Sequence, residues 1–479
     1  SCLLLIGLTF RLGIEFYHHN CRSFHGSGIL SNSWRLEEIF VFITAFITVI
    51  GMGSSSLVEE EQYIWHFMVA TLYMLLLRKV ILHDYPENNK PDTKKKTNGS
   101  HMLSILLLIF VERVLRSWHQ GGVNWVHLPD ISKLLEQSGS SIIMRCQICS
   151  ALLLMLLGIG AMAKSNLKLI TTQFVLTGFL LTGLSVLSYI IKSDEVSGGL
   201  SGSSNYFYLN IIYSLFGVST VGAAIFLPWI WPIDDHRRYS LSSVSNHVEP
   251  TYLIGLLYTL SWCLLQLILQ QPVNSFPIFL LLLQIIITIN LYSCGDYGIK
   301  EWVYVSSFII WVSLLYYNGM AGHFSLGNSN TLATINVAGA FIGLSRHSTT
   351  ISGLLMFCIT YASPMLVLLS MVIFIAAMPT GNHSTKNDCS GCRFKKRLVF
   401  PCLVPLTLNS LFLTSYTMVL LLMRNHLFVW SVFSPKYMYV CATTICVYVG
   451  LAVVIGTEWY ATCALGCGEL LSKRMNFRF

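Results

Sequence analysis

The chain reads Ser54-Ser55-Ser56-Leu57-Val58-Glu59-Glu60-Glu61-Gln62-Tyr63-Ile64-Trp65-His66-Phe67, with a long apolar run on either side. Three adjacent carboxylates do not rest in hydrocarbon without partners, because a charged side chain inside a membrane is costly. In these surroundings the carboxylates are either a water-facing boundary between two membrane segments or a polar site inside the protein.

The composition of the whole chain is that of a membrane protein. Of its 479 residues, 54% are hydrophobic and 11% are charged, whereas a soluble domain has about 25% charged residues. Apolar runs long enough to cross a bilayer, about 20 residues each, occur repeatedly. They do not show the alternation of barrel strands. The sequence therefore predicts an all-α polytopic membrane protein, a bundle of about 11 to 14 transmembrane helices.

The apolar runs divide the chain without leaving room for a second domain. The clear runs are 36 to 53, 63 to 82, 101 to 117, 142 to 163, 167 to 191, 207 to 231, 251 to 270, 273 to 293, 351 to 378, 397 to 423 and 437 to 458. Weaker runs are 1 to 17, 302 to 317 and 331 to 344. The hydrophilic stretches between them are short, and a folded domain outside the membrane needs about 50 residues or more. We therefore expect residues 1 to 479 to form one transmembrane domain.

The net charge of +8 is spread over loops and the tail, so it indicates orientation in the membrane rather than binding of nucleic acid. Basic segments at residues 90–96, 236–238, 393–397 and 473–478 favour the cytosolic side. Two glycosylation sequons, which begin at Asn98 and Asn382, fall in two of these basic segments. Glycans are added only on the lumenal side. The favoured interpretation is that both loops are cytosolic and their sequons are unused. The alternative is that the loops are lumenal.

No motif predicts a catalytic or metal centre in this chain. The 14 cysteines lie mostly within apolar runs, where cysteine behaves as a small hydrophobic residue. A single C-x-x-C, Cys389 to Cys392, lacks the second pair that a zinc site needs. Walker A, G-x-S-x-G, H-E-x-x-H and Rossmann patterns are absent. We therefore expect no catalytic residue, no metal ligand and no cofactor within these residues.

Four polar segments stand out against the apolar background. The first is the stretch quoted above; the second runs from residue 112 to 130, the third from 327 to 344 and the fourth from 424 to 437. Charged, amide and aromatic residues at the ends of apolar runs are typical of anchors at headgroup level or of a lined cavity.

Side chains of the last three segments are candidates for binding lipid headgroups. Arg113 and Arg116 are three residues apart and so share a helix face, where they either bind a lipid phosphate or extend to the membrane surface. The third segment predicts a helix that is buried in the bundle, where Gly339 and Gly343 form a G-x-x-x-G pattern that allows close approach of a second helix. Its amide side chains either pack inside the protein or line a substrate cavity. The candidates are Arg113, Arg116, Trp125, His127, Asn328, Asn330, Asn336, Arg424, His426, Trp430 and Lys436.

In this order the four segments resemble the C-terminal membrane region of the GPI ethanolamine phosphate transferases, most closely the type 2 enzymes that modify the second mannose. They resemble the subfamily's S-S-S-F-V-E-E-E-H-Q-T-W-Y-F, R-x-x-R-x-x-x-Q-x-G-V-x-W-x-H-x-P-D, G-N-S-N-x-x-A-T-V-x-x-x-x-G-F-x-G-L and H-L-F-x-W-S-V-F-S-P-K. The string Gly327-Asn328-Ser329-Asn330 favours type 2, because the third-mannose enzymes carry a different, His-containing string there.

The resemblance implies a longer protein and a division of labour. Family members carry an N-terminal lumenal domain similar to alkaline phosphatases, with a Thr nucleophile and two metal ions, zinc, and this domain has no counterpart in these residues. In the family it transfers phosphoethanolamine from phosphatidylethanolamine to a mannose of the GPI glycolipid, in the endoplasmic reticulum membrane. A small hydrophobic subunit of the PIG-F type stabilises the membrane part. We expect this chain, which opens at Ser1 without a signal peptide, to be the multi-pass membrane portion.

Two other classes of protein remain as alternatives. A polytopic lipid transporter or flippase has inverted repeats or paired broken helices with buried charges, and the sequence shows neither. A non-catalytic scaffolding subunit is the second alternative. Glu59, Glu60 and Glu61 are expected to form a polar connection between two spans, since no His or Asp of matching spacing accompanies them as a metal ligand.

Overall fold

A computed structural model describes residues 7, 36–83, 93–120, 130–163, 170–196, 202–236, 248–293, 301–330, 335–344, 348–377 and 390–476. Within these ranges the protein is helical and has no strand. The helices are α1 (Leu36–Gly51), α2 (Ser55–Glu59), α3 (Glu61–His83), α4 (Thr93–Trp118), α5 (Ile131–Ser138), α6 (Ser140–Met162), α7 (Ile170–Val196), α8 (Gly202–His236), α9 (Val248–Leu269), α10 (Ser275–Ser293), α11 (Glu301–Ser325), α12 (Thr349–Thr360), α13 (Ala362–Ala376), α14 (Ser390–Leu422) and α15 (Phe433–Asn476).

Within the described ranges most of the apolar runs form helices as predicted, because continuous apolar sequence in a membrane satisfies its backbone only within a helix. The weak run 1 to 17 lies, except for residue 7, outside the described residues. In the described ranges, eight helices are long and apolar enough to span a bilayer, or nine if the bent pair α12 and α13 counts as one span. The all-α membrane architecture is confirmed, while the count of 11 to 14 spans stays a prediction.

In two of the apolar runs the structure differs from the predicted helix. The run 351 to 378 is broken at Tyr361, where α12 and α13 meet at a bend of 78°. Pro364 has no N–H to donate to the carbonyl of Thr360, four residues back, so the helix does not continue through this point. In the weak run 331 to 344, the described part contains only a short 3₁₀ turn, Ala338–Phe341.

The expected G-x-x-x-G helix is therefore wrong. Gly339 lies in the 3₁₀ turn, and Gly343 adopts a φ of 85°, a left-handed conformation that ends helical structure and that only glycine adopts without strain. A Cβ on Gly339 would lie 2.6 Å from the carbonyl oxygen of Leu269. The two glycines thus serve a tight turn packed against α9 rather than a pair of close helices.

The chain forms two compact units. Among the described residues, unit 1 contains α1 to α4, the C-terminal part of α10, α11, α14 and the first part of α15. In it, α3 packs on α4 and α11, and α14 packs on α11 and α1. The buried ring of Trp65 on α3 is the centre of this packing, with its centroid 5.6 Å from that of Tyr317 and 5.8 Å from that of Phe412.

Unit 2 contains α5 to α9, the start of α10, α12, α13 and the rest of α15. Helix α9 packs closely on α13. A Cβ on Gly255 of α9 would lie 2.9 Å from the backbone nitrogen of Ile373 on α13. Small residues let membrane helices approach to this distance, where van der Waals packing holds them together.

Candidate functional site

The carboxylate run separates into an exposed part and a buried part. The chain turns at Glu60, α3 begins at Glu61, and Glu59 faces outward from the short α2. Residues 52–60 connect α1 to α3, of which α3 is long enough to span a bilayer and α1, with 16 residues, is shorter, so the connection between two spans stays a prediction. Glu61 departs from that expectation, since it lies in the first turn of α3 with its side chain 8% exposed.

Glu61 is the centre of a buried ion pair. Its Oε1 accepts a hydrogen bond of 2.8 Å from the indole N–H of Trp65, one helical turn later. Its Oε2 accepts from the ammonium of Lys436, in the first turn of α15, and from the amide of Asn330 at 2.9 Å. Lys436 also donates to Oδ1 of Asn330, at 3.3 Å. We call Glu61, Trp65, Asn330 and Lys436 the Glu61–Lys436 cluster. Each of these four side chains makes a hydrogen bond to at least one of the others.

The loop that follows α11 is fixed to two neighbouring helix ends. The amide of Asn330 donates to the carbonyl oxygen of Val58 at 2.6 Å. Gly327, with a φ of 82°, lies against the imidazole of His119, just after the end of α4. Gln62 donates to the carbonyl oxygen of the same His119 at 2.5 Å. The start of α3, the end of α4, the end of α11 and the start of α15 therefore meet at one end of unit 1.

This meeting unites residues of all four polar segments. Glu61 belongs to the first, His119 to the second, Asn330 to the third and Lys436 to the fourth. No spacing in the sequence predicted that these segments touch, because their contacts join residues up to 375 positions apart.

A second polar network lies among α3, α4, α10 and α11. His66 Nδ1 and Glu112 Oε1 are 2.6 Å apart, and both side chains are buried. Gln284 donates to the other oxygen of Glu112 at 2.8 Å. Asn318 lies 3.5 Å from the Gln284 amide and donates to the hydroxyl of Tyr73 at 2.9 Å. We call these five residues the His66–Glu112 network; it joins α3, α4, α10 and α11.

The two groups of residues bury two carboxylates, one lysine and one histidine among the helices of unit 1. A buried charge is tolerated when it is paired and hydrogen-bonded. Glu61 is paired with Lys436, and the two oxygens of Glu112 contact His66 and Gln284. The carboxylate oxygens are occupied by protein partners, so the arrangement positions the four segments rather than offering a free nucleophile. Among the described residues, no three His, Cys, Asp or Glu side chains converge as metal ligands do.

The two predicted phosphate-binding arginines differ in their surroundings. Arg113 is exposed on α4, and Arg116 is half-buried with its guanidinium 5.4 Å from the centroid of the Tyr63 ring. Such an arrangement is a cation–π contact. Trp125 and His127 lie outside the described residues.

The candidate residues of the fourth segment also differ in their exposure. Arg424, His426 and Trp430 are exposed in the connection between α14 and α15, where Trp430 is 82% exposed. Lys436 is 5% exposed, because its ammonium is directed inward to Glu61. The segment thus contributes an exposed surface and one buried anchor.

The three candidate asparagines have three different roles. Asn328 donates to the carbonyl oxygen of His323 at 3.1 Å and so satisfies the last turn of α11. Asn330 is a member of the Glu61–Lys436 cluster. Asn336 belongs to unit 2, where its Oδ1 accepts from the backbone N–H of Gly339 at 3.1 Å.

Sequence reasoning missed most of the buried residues. Glu112 begins the second polar segment but was assigned no function, and His66, Gln284 and Asn318 were not singled out. The available signal was a polar side chain within an apolar run, which in a membrane faces the protein interior.

The chain matches one family along most of its length. A model of the GPI ethanolamine phosphate transferase membrane region matches residues 27–464. The human protein "GPI ethanolamine phosphate transferase 2, catalytic subunit" is 24% identical over 474 residues, which cover 85% of this chain and 42% of the human protein. No solved structure matches the chain.

Two fungal relatives give the same result. "GPI ethanolamine phosphate transferase 2" of Schizosaccharomyces pombe is 24% identical over 414 residues, 86% of this chain and 42% of that protein. The protein of the same name from Yarrowia lipolytica is 21% identical over 449 residues, 88% of this chain and 48% of that protein. The chain therefore spans less than half the length of these relatives. The resemblance carried by the four polar segments is confirmed, and the chain belongs to the family defined by the GPI ethanolamine phosphate transferase membrane region.

Proposed function

We propose that this chain is the membrane portion of a transferase that moves phosphoethanolamine from phosphatidylethanolamine to the second mannose of the GPI anchor precursor. The observation that carries the proposal is the meeting of the four polar segments at one end of unit 1. These are the segments that resemble the type 2 enzymes, and the human and fungal relatives described above are named GPI ethanolamine phosphate transferase 2.

The distribution of basic residues supports a lumenal position for this end of unit 1. Helices α3 and α15 begin there, and α4 and α11 end there. Residues 94–96, three lysines, lie in the first turn of α4 at its other end, and the basic residues of 393–397 lie in the first two turns of α14. Basic residues favour the cytosol. On this topology the sequon at Asn98, in the first turns of α4, is cytosolic and unused; Asn382 lies outside the described residues.

In the proposed reaction, two lipid headgroups have to reach a lumenal catalytic domain at a fixed height above the bilayer. Holding them there is the positioning part of catalysis. Exposed Arg113, near the end of α4, and exposed Arg424, before the start of α15, lie beside helix ends that meet. Their charges suit lipid phosphates, and Trp430 suits the headgroup layer. The buried Glu61–Lys436 cluster would hold the segments that carry these side chains.

The remaining parts of the activity belong outside these residues. We assign the nucleophile and the two metal ions to an N-terminal lumenal domain of the full-length protein, and the site of action to the endoplasmic reticulum membrane. A small subunit of the PIG-F type is the proposed stabilising partner. No step is assigned to a metal in this chain, since the described residues contain no suitable ligand group.

Glycan analysis tests the proposal. Cells that lack the full-length protein should carry GPI glycans without phosphoethanolamine on the second mannose, as measured by mass spectrometry, and the full-length protein should restore it. Intact modification in the lacking cells would exclude the transferase function.

Variants then test the exposed arginines. Arg113→Ala and Arg424→Ala should each lower the modification at an unchanged protein level, whereas Arg145→Ala, an exposed arginine on α6 of unit 2, should not. Equal modification in all three variants would remove the two arginines from the binding surface.

A lipid transporter is the second candidate, and two observations favour it. Unit 1 contains buried charged side chains within its helices, and unit 2 contains the broken pair α12 and α13. Both features are typical of transporters. Movement of a fluorescent phosphatidylethanolamine analogue across vesicles with the purified full-length protein tests this function, and no movement above that of protein-free vesicles contradicts it.

A further inference from the structure

The C-terminal half of α15 exposes one stripe of side chains that contains two cysteines. Ile455, Trp459, Cys463 and Cys467 follow one another at intervals of four residues, and all four are exposed. Residues four apart lie on the same face of a helix. Both thiols are free, so this face presents two accessible nucleophiles to the surroundings of the protein.

The sequence of α15 places these thiols at a membrane surface. Residues 437–457 contain no charged side chain, and 21 residues at about 1.5 Å each span roughly 32 Å, the thickness of a hydrocarbon core. Glu458, Trp459 and Tyr460 follow directly, and aromatic residues of this kind occupy the headgroup layer. Cys463 and Cys467 then lie about 6 and 12 Å farther along the helix than Trp459.

The residues that follow indicate which surface this is. Lys473 and Arg474 close α15, and Arg478 follows them. Basic residues within about 15 to 20 positions of a span favour the cytosolic side. Thiols remain reduced in the cytosol, so the two cysteines stay available there.

We propose that Cys463 and Cys467 are S-acylation sites that take long-chain fatty acyl groups from acyl-coenzyme A. The thiolate of each cysteine attacks the carbonyl carbon of the acyl thioester. A new carbon–sulfur bond forms, the bond to coenzyme A breaks, and coenzyme A leaves as a thiol that carries the proton of the cysteine. Juxtamembrane cysteines are the residues that such acylation uses.

The other cysteines of the described residues lack this combination of features. Cys446 lies on the same helix but is buried, and Cys441 is half-buried. Cys149 is exposed, but it lies near the middle of the 23-residue candidate span of α6, out of reach of a cytosolic acyl donor, whereas Cys463 and Cys467 lie at the end of the 35-residue apolar stretch Phe433–Cys467. Among the cysteines that the structure describes, acylation should therefore be selective for Cys463 and Cys467.

The inference does not depend on the transferase function. Two acyl chains on adjacent turns would hold the end of α15 in the cytosolic leaflet, because two lipid anchors give stable attachment where one gives a reversible one. An enzyme, a transporter or a scaffold would each carry the modification in the same way.

Acyl exchange on the full-length protein from cells tests the proposal. Hydroxylamine cleaves the thioesters, and a maleimide-linked polymer then adds one mass step for each acylated cysteine. The wild-type protein should show two steps, Cys463→Ala and Cys467→Ala one step each, and the double variant C463A/C467A none.

Matched variants keep this result interpretable. Cys149→Ala and Cys446→Ala should keep both mass steps, and labelling with an alkyne analogue of palmitate should fall to background in C463A/C467A alone. Signals are compared at equal protein amounts, and the two substituted side chains face outward, so folding should be unaffected. A wild-type protein without hydroxylamine-dependent steps, or a double variant that keeps them, would overturn the proposal.

Discussion

Replacing Lys436 with Met should destabilise unit 1, because it leaves the carboxylate of Glu61 buried without a cation. The two side chains are 6% and 8% exposed, so water does not screen the pair. Removing one partner of such a buried pair costs about 3 to 5 kcal/mol, whereas an exposed pair contributes at most about 1 kcal/mol. The remaining donors to Glu61, Trp65 and Asn330, are uncharged and offset only part of this loss.

A matched set of variants separates the charge from the packing. The double variant E61Q/K436M removes both charges and should recover most of the stability, since replacing a whole buried pair by neutral groups is often close to neutral. Glu59→Gln changes an exposed carboxylate two residues away and should alter stability by less than about 0.5 kcal/mol.

Thermal unfolding of the detergent-purified protein, followed by size-exclusion fluorescence, measures these differences. Unfolding of K436M at the same temperature as the Glu59→Gln variant would contradict a stabilising buried ion pair. A double variant less stable than K436M would contradict it as well, because the charge of Glu61 would then not be the source of the loss.

Three further substitutions and one control follow from the same structure and use the same thermal assay. Glu112→Leu removes the carboxylate that contacts the buried His66 and should cost about 1 to 3 kcal/mol; an unchanged midpoint would mean that the pair does not form. Gly327→Ala forces a left-handed φ of 82° on a residue with a Cβ, for which a loss of about 1 to 2 kcal/mol is expected, and a gain in stability would contradict the turn. Gly255→Ala should cost about 1 to 3 kcal/mol, because the facing backbone is 2.9 Å from the new Cβ, while Gly160→Ala, which meets nothing within 4 Å, should be neutral or stabilising.

The sequence predicted the helices well because a bilayer leaves few alternatives. A run of about 20 apolar residues satisfies its backbone only as a helix, so α6, α7, α9 and α10 lie where the runs lie. The errors occur where a backbone detail decides. Pro364 ends α12 inside an apolar run, and Gly343 adopts a positive φ. Hydropathy does not record either feature.

The candidate site was predicted in its segments but not in its contacts. The four polar segments were recognised because charged and amide residues are rare in this chain. Which side chain of each segment is buried depends on helix rotation and on neighbours far along the sequence, as Glu59 and Glu61 illustrate. The local sequence does not show which of these two carboxylates is buried.

By itself the sequence determined that this is a multi-pass helical membrane protein, that it belongs to one family, and which four segments carry the resemblance. Composition and long, ordered motifs contain that information, because the cost of placing polar groups in hydrocarbon acts on every residue separately. Only the tertiary structure decided that Glu61 pairs with Lys436 through Asn330, and His66 with Glu112. These pairs exist because a buried charge needs a partner from another helix, and only the packing of the helices brings that partner within reach.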